Sequence, residues 1–222
     1  CECTALQGIR LPDGLKEIGS DAFSGCRSLR QITVPVGVEC IETAVFQSCR
    51  ALQEVHLPEG LEQIGMFAFE DCDTLTRIVL PASLKRLCRG AFENCTSLLE
   101  AQLPDGLEEL QDDAFEYCRS LQKVTIPAQV RQIERAAFYY CQSLQEVQLP
   151  EELNEIGEDA FAHCWALKRI VIPAGVEKVG EHAFWECYSL QNIAVLSDDT
   201  EIAEDAFEDC PGTVKRGTGS LF

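Results

Sequence analysis

The sequence lacks any uninterrupted apolar run of about 18 residues, so no stretch of it reads as a membrane-spanning helix. Basic residues are scarce: 18 Lys and Arg stand against 37 Asp and Glu, a formal net charge of -19. Such a chain repels phosphate, which argues against nucleic acid or an anionic membrane surface as a partner. The signatures of several chemistries are also missing. There is no glycine-rich phosphate loop, no dinucleotide-binding glycine pattern, no HExxH and no Cys-x-x-Cys. The three histidines, His56, His163 and His182, fall at unrelated places, and none is spaced for a Ser-His-Asp or Cys-His nucleophile. No catalytic, cofactor-binding or metal-ligating residue is therefore expected, and no enzyme.

What is present is a period. Cysteines stand at 3, 26, 49, 72, 95, 118, 141, 164, 187 and 210, a step of 23 residues. Phenylalanines from Phe23 to Phe207 keep the same step. Prolines do so from Pro12 to Pro173, until Leu196 takes the last place. One unit reads C-x-x-L-x-x-I-x-L-P-x-G-L-x-x-I-G-x-x-A-F-x-x. Its Leu-x-x-Ile-x-Leu part alternates inward and outward, as a short strand needs. Proline ends that strand and a small residue permits the turn. A second apolar pair returns along another face, often closed by glycine, as at Gly19, Gly65, Gly157 and Gly180. Ala-Phe-x-x-Cys reads as one helical turn pinned by an inward phenylalanine. One unit cannot bury these residues alone, but stacked units share a core, so the period predicts a solenoid.

Over residues 3–210 this pattern resembles the BspA-like leucine-rich repeat, whose unit reads L-x-x-I-x-L-P-x-x-L-x-x-I-G-x-x-A-F-x-x-C. The fold expected is a leucine-rich-repeat solenoid of nine stacked 23-residue units over 3–209, mainly β and loop. Short strands should form parallel ladders, with one helical turn per unit. Val45, Ala101 and Leu196 are the departures, and Ser197-Asp-Asp-Thr200 gives the last unit a different turn. Residues 1–222 are read as a single array, with 210–222 as a partial C-terminal cap and tail. Thr213–Arg216 is expected to cover the end of the core, with a loose terminus beyond. The chain begins at Cys1 without Met or leader, and the first unit has no polar cap, so a piece of a longer protein is expected. The resemblance implies a secreted or cell-surface bacterial protein linked to adhesion, with host or bacterial surface proteins as partners. A monomeric array without membrane insertion is expected.

Ten of the 13 cysteines share one repeat position. Neighbouring units would set them about 4.7–5 Å apart with parallel side chains, which favours small apolar slot-fillers over disulfides. Cys1, Cys40 and Cys88 lie off this ladder and are candidate exposed thiols, and Cys1-x-Cys3 is weak as a metal site. The pairs Asp112-Asp113, Glu158-Asp159, Glu204-Asp205 and Glu208-Asp209 read as solvated surface, with calcium as the alternative. Leu6, Ile9, Leu11, Leu15, Ile18 and Phe23 should point inward in the first unit. Outward strand residues run from Gln31 and Thr33 to Asn192 and Ala194.

Every Tyr and Trp falls beside the Ala-Phe-x-x-Cys segment, between residues 117 and 188. Tyr117, Tyr139, Tyr140, Trp165, Trp185 and Tyr188, with His163 in the same column, are the candidate partner-binding residues. Tyr and Trp are enriched at binding hot spots. The other reading has each ring lying against the next unit with its polar tip wet. The function expected is a non-catalytic protein-binding scaffold, and the alternative is a structural spacer or stalk carrying other domains.

Overall fold

The computed structural model describes residues 3–217. Cys1, and with it the Cys1-x-Cys3 metal-site reading, and the tail from 218 onward lie outside the described residues.

Each coil lays down two short parallel strands. The long-strand column begins at Gln31–Thr33 and continues through Glu54–His56, Arg77–Val79, Glu100–Gln102, Lys123–Thr125, Glu146–Gln148, Arg169–Ile172 and Asn192–Val195. The short-strand column runs from Cys40–Ile41 to Glu201–Ile202. Pairing is in register with the 23-residue period, for example Ile32 beside Val55 and Ile41 beside Ile64. Identical slots therefore stack on one another, and the sheet-like burial alternation follows: in Glu54–His56 only Val55 faces in. Eight coils carry both strands; the first repeat contributes a single bridge, Gly8 to Gln31. Thr213–Arg216 adds a further long strand beside Asn192–Val195.

The core is a set of ladders. Phe46, Phe69, Phe92, Phe115, Phe138, Phe161 and Phe184 are fully buried and stack nearly parallel, with ring centroids 5.2–5.5 Å apart. Offset parallel rings at this spacing add attraction to the hydrophobic gain. The described cysteines are unpaired thiols, and those from Cys26 to Cys187 on the ladder are buried. Each thiol from Cys49 to Cys210 also donates to the Phe carbonyl of the preceding coil, as Cys72 does to Phe46 at 3.3 Å. The same Phe46 carbonyl accepts the Cys49 N–H at 3.1 Å, so both its lone pairs are used. A purely apolar residue would fill the slot but leave the second lone pair bare.

Several expectations need correction. The Ala-Phe-x-x-Cys segment is not a helical turn. The N–H groups of Ala44, Phe46 and Ser48 donate to Met66, Ala68 and Glu70 of the next coil at 2.9, 2.8 and 2.7 Å. Only Gln47 and Cys49 bond back within the segment, to Ala44 and Phe46 three residues earlier. A helix would direct all these donors four residues back; sharing them with the next coil forces left-handed backbone at Ala44 and Ser48 (φ 55° and 56°). Ile9 is 41% exposed and not inward, in a repeat held to the next coil's long strand by a single bridge, Gly8 to Gln31. Cys88 is buried, so it is not an exposed thiol, and Cys40 is half-buried. Burial, then Glu42, push the Cys40 thiol up to about 12. Ala194 is buried despite its outward register, its methyl lying between Val171 and Lys215.

Ala101 has a local consequence. The strand holding it pairs with Lys123–Thr125 only at Glu100 and Lys123, where its other neighbour is met at three residue pairs. A shallow depression of about 410 Å³ opens there, lined by Leu99, Leu103 and the strand side chains.

Candidate interaction site

The turn segments make a third face, and its chemistry follows from backbone geometry. Two residues per coil, four apart, hold left-handed backbone: Asp21 and Gly25, Phe67 and Asp71, Gly90 and Asn94, Asp113 and Tyr117, Ala136 and Tyr140. In the position before the ladder cysteine, the early coils place Gly25, Ser48, Asp71 and Asn94. These are small or short polar residues, and glycine, Asn and Asp tolerate this region best. The later coils place Tyr117, Tyr140, His163 and Glu186 there, at φ 54–59°. Large side chains at such positions cost about 1 kcal/mol each, so in the position before the ladder cysteine the local rule is broken only from Tyr117 onward; four residues earlier, Phe67 breaks it in an early coil.

The structure brings all seven candidate residues together. Tyr117 meets Tyr139 edge-on at 5.7 Å and Tyr140 at 5.2 Å. Tyr140 lies 4.1 Å from His163 and 6.1 Å from Trp165, and Trp165 lies 6.3 Å from Tyr188. Trp185 closes on His163 at 4.7 Å. The result is one aromatic band. Tyr188 is 53% and Trp165 38% exposed, while His163 is buried. Burial thus divides the band: His163 packs inside, whereas Trp165 and Tyr188 face solvent.

His163 Nδ1 sits 2.9 Å from Glu186 Oε2 but is not aligned as a hydrogen bond. It is the single buried side-chain N or O without a hydrogen-bond partner among the described residues. Cys164 offers it no nucleophile, because that thiol is buried and donates to the Phe138 carbonyl at 3.4 Å. Residues not singled out from sequence join the band. His182 packs on Trp185 at 5.5 Å, and the Arg119 guanidinium lies 5.7 Å over the Tyr117 ring. Each sits in a repeat column that already held an aromatic residue, and that shared column was the available signal.

At the early edge of the band, carboxylates stack in successive coils. Burial, then Glu70, push the Glu93 carboxyl up to about 7. Burial, then Asp113, do the same to Glu116. Asp113 is buried between Arg89 Nε at 2.9 Å and Arg135 at 3.4 Å. The Asp112-Asp113 pair is thus split, with one carboxylate committed to guanidinium groups. Among the described residues no three His, Cys, Asp or Glu side chains cluster as metal ligands.

A family model for the BspA type leucine rich repeat region, in six copies, matches residues 1–122 and 109–215. The chain belongs to the BspA-type leucine-rich-repeat family. A leucine-rich repeat protein from Bacteroides ovatus is 30% identical with a TM-score of 0.90, over 98% of this chain and 57% of that one. A T. pallidum leucine-rich repeat protein is 31% identical with a TM-score of 0.68, over 72% of this chain and 78% of that one. A leucine-rich cell surface protein from Faecalibacterium prausnitzii is 25% identical with a TM-score of 0.54, covering 99% and 75%. This BspA-type chain therefore spans little more than half the length of the B. ovatus protein. No curated protein matches it.

Proposed function

We propose that this BspA-type repeat array is a non-catalytic, protein-binding scaffold of a secreted or cell-surface protein, with the aromatic band as its contact site. The observation carrying this reading is the clustering of every Tyr and Trp on four successive turn segments of one face, with Trp165 and Tyr188 open to solvent. Repeat stacking supplies rigidity along the face, so contacts need little ordering on binding. The cell-surface description of the F. prausnitzii relative supports the location, and adhesion to host or bacterial surface proteins is the role that fits it.

The test is a panel of purified host matrix and bacterial surface proteins, probed with the wild-type chain and with a variant carrying Tyr117→Ala, Tyr140→Ala, Trp165→Ala, Trp185→Ala and Tyr188→Ala. The expected result is binding to a panel member that the variant loses at an unchanged level of folded protein. Equal binding by both proteins would remove the band from the function. No binding by either would favour a spacer that holds other domains apart.

A further inference from the structure

The band's surroundings are as uneven as its rings. Turn segments 112–119, 135–142, 158–165, 181–188 and 204–211 together carry eleven Asp and Glu against two Arg. The corresponding segments 20–27, 43–50, 66–73 and 89–96 carry five against three and no Tyr or Trp. Eight of those acids lie in the last three segments, at the end of the band where Trp165 and Tyr188 are exposed. A carboxylate alone attracts any cation, and a ring alone attracts any apolar group. Interleaved, they favour a cation that presents a flat, weakly hydrated face, because the ring quadrupole adds to the ionic attraction. The protein already displays that contact once, in the Arg119 guanidinium over Tyr117.

Resting on the scaffold reading above, we infer that the band takes an arginine-rich basic segment of a partner protein, its guanidinium groups lying over Tyr140, Trp165 and Tyr188 and pairing with Glu186 and Asp209. The Tyr188 N–H donates to the Glu186 carbonyl at 2.9 Å, so an acidic residue is fixed beside the exposed ring. His163, with its unsatisfied buried nitrogen 2.9 Å from Glu186, lies against Tyr140. The neighbouring Phe rings step by 5.5, 5.3 and 5.3 Å across these coils, so the band is about 16 Å long. Five extended residues cover about that length, which sets the minimum size of the segment.

Four synthetic peptides test this by calorimetry and tryptophan fluorescence at about 0.15 M salt, where diffuse surface attraction is screened: alternating Gly-Arg, Gly-Lys, Gly-Glu and Gly-Ser dodecamers. The Arg peptide should bind best, the Lys peptide more weakly, and the other two not at all. Both Trp165→Ala/Tyr188→Ala and Glu186→Gln/Asp209→Asn should weaken the Arg peptide about tenfold, the second pair leaving every ring in place. Glu151→Gln/Glu152→Gln removes the same charge from exposed positions off the band and should change affinity less than twofold. Equal losses from the on-band and off-band charge changes would overturn the inference, as would Gly-Ser or Gly-Glu binding as tightly as Gly-Arg. If no peptide binds while a panel protein still needs the band, this inference fails and the scaffold reading stands. If the panel fails too, both fall.

Discussion

The first four coils and the last five share a core and differ on one face. Inside, Phe69 and Phe138 occupy the same slot with the same stacking, at 5.2 and 5.3 Å to the next ring. Outside, the early turn face is knitted by polar ladders, with Asn94 and Ser48 both donating to Asp71 at 2.6 and 3.2 Å. The late turn face replaces those ladders with rings and further acid, part of it paired, as Asp113 is with Arg89 and Arg135. In the position before the ladder cysteine, Gly25, Ser48, Asp71 and Asn94 suit the left-handed backbone they occupy, whereas Tyr117 and Tyr140 strain it. Repetition thus secures stability in both halves, and the late half departs from it at the positions argued to bind. Departures from local consistency are where function is to be sought.

The largest expected effect should not distinguish the halves. Phe69→Ala and Phe138→Ala each remove a fully buried ring and should cost about 3–5 kcal/mol in urea unfolding. A difference of more than about 1 kcal/mol between them would break the claim of a common core.

Thiol chemistry should be similarly even. Cys95→Ala and Cys141→Ala each vacate a packed slot and free one carbonyl lone pair, at a cost of about 1–2 kcal/mol. In the native state a thiol reagent should modify exposed Cys3 well before the buried ladder, whose thiols burial pushes above their ordinary range. Rapid native labelling of Cys95 or Cys141 would contradict the packing described.

The boundary between the halves should respond to pH. Glu93 and Glu116 have folded values raised to about 7 from about 4.5, so the native state holds protons that the unfolded chain releases. Stability from this pair is fully present below about 4.5 and is lost as pH rises through about 7. The facing charges are Glu70, Asp71 and Asp113 with Arg89 and Arg135. The thermal midpoint should fall between pH 5 and pH 8, and Glu93→Gln/Glu116→Gln should flatten most of that slope. An unchanged slope would show that other groups set it.

The smallest effect sharpens the contrast most. Tyr140→Asn relieves about 1 kcal/mol of left-handed strain and loses ring contacts worth a similar amount. Its thermal midpoint should stay within a few degrees of wild type, while partner binding drops. Asn94→Tyr, the reverse change in an early coil, should destabilise by about 1 kcal/mol and gain no binding. A large loss of stability in Tyr140→Asn would mean that the ring serves packing after all.

Much of the array was legible because a 23-residue period leaves little freedom. Leu, Ile and Phe in fixed columns must stack on their own copies, and the buried ladders follow. The turn segment misled because Ala-Phe-x-x-Cys has helical spacing for its apolar residues. Hydrogen bonding to the adjacent coil, which no single unit encodes, settled its backbone. The aromatic residues were legible as a column; that they touch, and that His163 is buried among them, was not, because side-chain direction depends on left-handed φ. Glu93, Glu116 and Arg119 escaped notice because each looks like ordinary surface charge until its neighbours are placed.

By itself the sequence determined the period, the inward columns and the asymmetric sharing of Tyr, Trp and acid between the two halves. Those depend on residue identity and spacing, which a linear repeat converts directly into position. Only the tertiary structure decided the non-helical turn, the thiol-to-carbonyl ladder, the burial of Cys88 and the joining of seven side chains into one band. Each of these arises between coils, where donors meet acceptors or side chains pack on those of the next turn of the chain.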